Sequence, residues 1–198
     1  MSYAWLEARA RNVFSQFGED GVIDAIFRTI RPANQWCFEC GAADGIFMSN
    51  TRRLIRHEWH AILVEADHDN FRRLHANCQK YPRAKLVCEK AEALDPLLAK
   101  MGAPIDIDLV VIDIDGQDYY MLNSLLHYRP RVVVVEYDPT CDPEFIPDLD
   151  GEGQAGLEAM RRLAAAKFYT EVFRTWSNLI LVKQPLDRLL DMESEAKP

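Results

Sequence analysis

The 198-residue chain has no apolar run approaching the roughly 20 residues that a membrane-spanning helix needs. It is also short of basic residues, with 23 Lys and Arg against 31 Asp and Glu and a net charge of −8. That deficit argues against a nucleic acid or an anionic membrane surface as the main partner, because both need clustered positive charge. Cysteines are few and odd in number, five in all. Cys37 and Cys40 form a C-x-x-C, but no second pair exists to complete a zinc site. Positions three apart in a strand point to opposite faces, so these thiols are predicted to be reduced and structural. The histidines, at 57, 60, 68, 75 and 127, show no ligand spacing, and there are no internal repeats. The N-terminal MSYAWLEARARNVF is too polar for a secretory signal, which predicts a cytoplasmic protein.

What the chain does have is a regular alternation of helix and strand signals. Val22, Ile23, Ile26, Phe27 and Ile30 form an apolar stripe at helical spacing. Strands are predicted over 36–40, 61–65, 85–89, 109–115 and 132–138, with helices between them. The runs LVVIDID and VVVVEYD are nearly all apolar until they end in acids. Strands of that kind are covered on both faces, which implies a parallel sheet with helices on each side. Near the end, FYTEVFRTW and LILV flank Ser177 and Asn178 and read as an antiparallel edge pair. The predicted fold is a Rossmann-like, doubly wound α/β sheet of seven strands, mostly parallel with an antiparallel last strand. One domain is expected over 1–198: a helical cap to about 31, a core over about 35–183 and a frayed tail over about 190–198.

In such sheets ligands bind beyond the carboxyl ends of the strands. Four predicted strand ends carry acids: Glu39 with Asp44, Glu65 with Asp67, Asp113 with Asp115 and Asp118, and Glu136 with Asp138. The turn Gly41-Ala42-Ala43-Asp44-Gly45 is G-x-x-x-G, and its flanking carboxylates would repel a pyrophosphate. Glu65, 20 residues after Gly45, is placed to accept ribose hydroxyls. A nucleoside with a cationic amino-acid arm fits all of these points, and S-adenosylmethionine is such a molecule.

This order resembles that of class I S-adenosylmethionine-dependent methyltransferases. More narrowly, SQFGED, FECGAADG, SNT and ILVEAD resemble the FkbM-like methyltransferases, over roughly residues 13 to 183. The resemblance implies that Gly41 and Gly45 line the methionine arm, with Glu39 near its ammonium, and that Ala42, Asn50 and Ala66 also bind the cofactor. It also implies that Glu65 holds the ribose, that Ala91 and Glu92 face the adenine, and that Gln16 and Glu19 close the pocket. Asp113 is expected to touch both cofactor and acceptor. The implied reaction is O-methyl transfer to a small-molecule or sugar-like hydroxyl. Asp115 or Asp118 would then serve as general base, or Asp113, Asp115, Glu136 and Asp138 would share a Mg²⁺. Transfer to nitrogen, an intramolecular cyclisation and a non-catalytic nucleotide-binding module are the alternatives. The 18-residue stretch 139–156 is a candidate lid or acceptor loop, and a homodimer is compatible with the sequence.

Overall fold

The computed structural model describes residues 3–149, 151 and 153–195. A 3₁₀ helix, Ala4–Arg9, precedes α1 (Glu19–Ile30), and then strands and helices alternate. They are β1 (Trp36–Cys40), α2 (Arg52–Arg56), β2 (His60–Glu65), α3 (His68–Cys78), β3 (Ala84–Cys88) and α4 (Leu94–Met101). After these come β4 (Leu109–Ile112), α5 (Asp118–Asn123), β5 (Val132–Glu136), α6 (Leu157–Ala166), β6 (Tyr169–Arg174), β7 (Asn178–Lys183) and α7 (Asp187–Glu195).

Among the described residues the sheet has seven strands in the order β3-β2-β1-β4-β5-β7-β6. The first five are parallel, and β7 runs antiparallel to both of its neighbours. The predicted doubly wound sheet is therefore present. The expected antiparallel edge pair is present as β6 and β7, with β7 next to β5 and β6 at the edge. Leu179, Ile180, Leu181 and Val182 are all buried, which suits an interior strand.

Alternate residues of each central strand feed two separate cores. Leu109, Val111, Val132 and Val134 pack with Val22, Ile26, Leu54, Leu74 and Leu190 on one face. Val110, Ile112, Val133 and Val135 pack with Leu94, Leu98, Met121, Met160 and Leu163 on the other. The C-x-x-C obeys the same period, with Cys37 in the first core and Cys40 in the second. Residues 187–195 form α7 where a frayed end was expected from about 190, and Leu190 is fully buried against the first core. Residues 196–198 of that expected tail lie outside the described residues.

Two buried acids anchor the N-terminal segment. The Asp20 carboxylate accepts from the backbone amides of Val13, Phe14 and Ser15. Glu19 accepts from the Phe17 amide and, at 3.1 Å, from the Asn178 side chain. Asp20 thus ties the residues before α1 to the helix, and Glu19 ties the helix to the start of β7.

Candidate functional site

The chain winds outward from β1 to β3 and then returns to β4 beside β1. That reversal opens a crevice at the carboxyl ends of β1 and β4. A cleft of about 1000 Å³ occupies it, at the upper end of the range for small-molecule sites. Its lining comes from the carboxyl ends of β1 to β5 and the loops after them, with Gln16 from the segment before α1.

The β1 loop is shaped by backbone contact. Gly41 has φ of +81°, and a Cβ there would sit 1.6 Å from the Asp113 carbonyl oxygen. Glycine is needed because the backbones after β1 and β4 nearly touch. Gly45 has φ of +71°, and a Cβ there would meet Leu74 at 2.4 Å, so it serves packing against α3. Asp44 accepts from the Ile46 and Phe47 amides and closes the turn.

Glu39 is 3% exposed and holds the following loop through three residues. Ser49 Oγ and Thr51 Oγ1 donate to its Oε2 at 2.7 and 2.5 Å, and the Asn50 amide donates to Oε1 at 2.8 Å. Ser49 Oγ also accepts from the amide of Arg52, the first residue of α2. Burial raises the Glu39 pKa, and the hydrogen bonds from Thr51, Ser49 and Asn50 oppose that rise. Glu65 joins the loops after β1 and β2, since its carboxylate accepts from the Ala43 amide at 2.7 Å and the Asp67 amide at 2.8 Å.

The carboxylates of Asp113, Asp115 and Glu136 meet at the β4–β5 end, with one oxygen of each within 4.8 Å of the others. Burial first, then the nearby Glu136 charge, pushes the Asp113 carboxyl up to about 8. Burial, then Asp118, raises Glu136 to about 7. The Gln154 amide donates to Glu136 Oε2, so the loop after β5 reaches back to this cluster.

The cleft lining takes in Gln16, Glu39, Gly41, Ala42, Glu65, Ala66, Ala91, Asp113, Asp115 and Glu136 from the expected residues. Others are elsewhere. Glu19 is buried against Asn178, and Gly45 packs on Leu74. Asn50 is buried behind the lining, contributing its backbone amide to Glu39. Glu92 is exposed and outside the cleft, where Glu89 and Lys90 stand instead. Asp118 is fully buried, accepting from the Ile114 and Gly116 amides, so it shapes the loop and faces no ligand. Asp138 leaves the acid cluster because its Oδ1 is taken by the Thr140 amide and hydroxyl, which lower its pKa. Asp138 follows β5 and Asp118 opens α5, and local turn chemistry decided which way each faces.

The sequence offered little sign of other cleft residues. Phe47, Met48, Gln117, Leu149, Gly151 and Gly153 all line it. Leu149, Gly151 and Gly153 lie in the stretch expected as an acceptor loop, which Tyr120 steadies by donating to the Pro147 carbonyl at 2.8 Å. The loop's composition pointed to it, but no residue pattern singled out Phe47 or Met48.

Neither a family model nor a curated protein matches this sequence. Solved structures do match. The N-terminal domain of EvdMO1 with SAH bound superposes with a TM-score of 0.56 at 15% identity, covering 83% of this chain and 79% of that one. The same domain in the presence of SAH and D-fucose gives 0.54 at 13% identity, covering 91% of each chain. A Klebsiella pneumoniae protein provisionally designated an O-methyltransferase gives 0.56 at 15% identity, covering 91% of this chain and 86% of that one. At these identities the likeness is one of fold, and this chain has the α/β methyltransferase-type fold that those proteins share.

Proposed function

We propose that this chain is an S-adenosylmethionine-dependent methyltransferase that acts on the hydroxyl of a small molecule. The observation that carries the reading is a single cleft at the sheet's switch point. It joins a glycine turn and a β2-end acid on one side to a raised-pKa carboxyl pair on the other. The fold shared with SAH-bound EvdMO1 supports it. The FkbM-like resemblance remains part of the proposal.

The lining fits the cofactor in charge and in shape. Among the described residues Glu39, Glu65, Glu89, Asp113, Asp115 and Glu136 surround the cleft against one cation, Lys90, which suits a ligand with a sulfonium and an ammonium. Glu65 would accept the ribose hydroxyls while its amide contacts hold it still, and Ala91 would face the base. When bound, the cofactor supplies an electrophilic methyl group. The protein's share is to align the acceptor oxygen, exclude water and take the hydroxyl proton on the Asp113–Glu136 pair. A carboxyl poised near neutrality is suited to that last task.

A metal-assisted variant has one observation in its favour, the convergence of Asp113, Asp115 and Glu136, which are oxygen donors of the kind a hard cation takes. Calorimetric titration with S-adenosylhomocysteine, with Mg²⁺ and with a chelator, tests both. Binding supports the cofactor, and a magnesium-dependent heat supports the variant. No binding in either buffer overturns the proposed function.

A further inference from the structure

Phe47, Met48 and Leu149 are 69, 40 and 62% exposed, yet all three line the cleft. Phe47 and Met48 stand on the loop after β1, and Leu149 on the loop after β5. The strand order puts β4 between those two strands, so the floor between the loops is Asp113–Gln117. Single exposed apolar side chains are ordinary, but three large ones at one cleft make an apolar contact surface. The nucleoside side, from Gly41 to Ala43 and from Glu65 to Ala91, does not include them.

Charge narrows the occupant. Among the described residues Lys90 is the one lining cation and lies at the β3 side, so a phosphorylated or carboxylated acceptor would meet Asp113, Asp115 and Glu136 at β4 and β5. Polar readout is also scarce. The Gln117 amide donates to the Gly151 carbonyl at 3.3 Å, and the Gln154 amide to Glu136. With both amides engaged within the protein, a polyol would find carboxylates on the floor but apolar side chains at Phe47, Met48 and Leu149, where its hydroxyls would go unpaired. Phe and Met side chains both make favourable contacts with aromatic rings.

We propose that the acceptor is an uncharged aryl alcohol, its ring held between Phe47–Met48 and Leu149 and its hydroxyl at Asp113 and Glu136. This rests on the methyltransferase reading of the same cleft and narrows its substrate class away from sugars. The test is calorimetric titration of 2-naphthol into protein saturated with S-adenosylhomocysteine, with D-glucose and 2-naphthyl phosphate as contrasts. The expected result is saturable naphthol binding, weakened about tenfold in a Phe47→Ser, Leu149→Ser double variant, with no binding of either contrast. Both side chains are exposed, so the double variant is expected to fold. S-adenosylhomocysteine binding without naphthol binding overturns this proposal and leaves the cofactor reading standing. Equal naphthol affinity in the double variant, or tighter binding of glucose, overturns it too. Loss of S-adenosylhomocysteine binding refutes the cofactor reading instead. Naphthol titrated into the protein alone then tests the apolar walls by the same variant comparison.

Discussion

Replacing Glu136 with glutamine removes one of two like charges that the fold forces together. Asp113 and Glu136 are raised to about 8 and about 7, so the folded chain holds protons there that the unfolded chain releases near pH 4. Their contribution to stability is therefore greatest below the unfolded values and is lost as pH rises through about 7 to 8. With carboxylate oxygens within 4.8 Å and an effective dielectric of about 20, two full charges repel by roughly 3 kcal/mol. Glu136 is partly open to solvent, which reduces the figure to about 1–2 kcal/mol. Glu136→Gln should therefore raise the melting temperature at pH 9 by roughly 2–8 °C. At pH 5.5 the folded wild-type pair is largely protonated and the charge repulsion is absent, so the shift should be clearly smaller than at pH 9. Glutamine keeps an oxygen to accept from Gln154, so packing is not the variable. Thermal unfolding at both pH values is the assay. A variant that is equally shifted at both, or less stable at pH 9, would refute the assignment of a strained carboxyl pair.

Three further outcomes follow from the site's construction. Gly41→Val should lower stability whether or not a ligand is present, by about 3 kcal/mol or more, because its Cβ would enter the Asp113 carbonyl; an unchanged denaturant midpoint would contradict this. Thr51→Val leaves buried Glu39 one donor short and should cost about 1–3 kcal/mol, read from urea unfolding. Glu65→Ala should weaken S-adenosylhomocysteine binding by about tenfold or more in calorimetry, because it removes the ribose acceptor and frees the Ala43 amide; undiminished affinity would exclude Glu65 from the site.

Much of the architecture was legible because apolar runs carry their own period. LVVI and VVVV could only be strands buried on both sides, and the α1 stripe could only cover one of those faces. The limits of the strands were less legible. β4 stops at Ile112, short of Asp113 and Asp115, and β5 at Glu136, short of Asp138, because Asp118 and Asp138 draw nearby amides into turns. The position of β7 inside the sheet was not legible, since a hairpin sequence does not say which of its strands meets the neighbour.

By itself the sequence determined the layers, the direction of the first five strands and the gathering of acids at one end of the sheet. Those follow from side-chain periodicity and from the rule that parallel strands share their carboxyl edge. Tertiary structure decided which acids face the cleft. Asp44 and Asp118 are held by donors of their own loops and lie outside the lining, whereas Asp113 and Asp115 from the end of β4 converge with Glu136 from the end of β5. It also decided why Gly41 must be glycine and brought Phe47 and Leu149 to one cleft across about 100 residues of chain. Such relations depend on distances between segments far apart in the chain, and a local residue pattern carries no record of them.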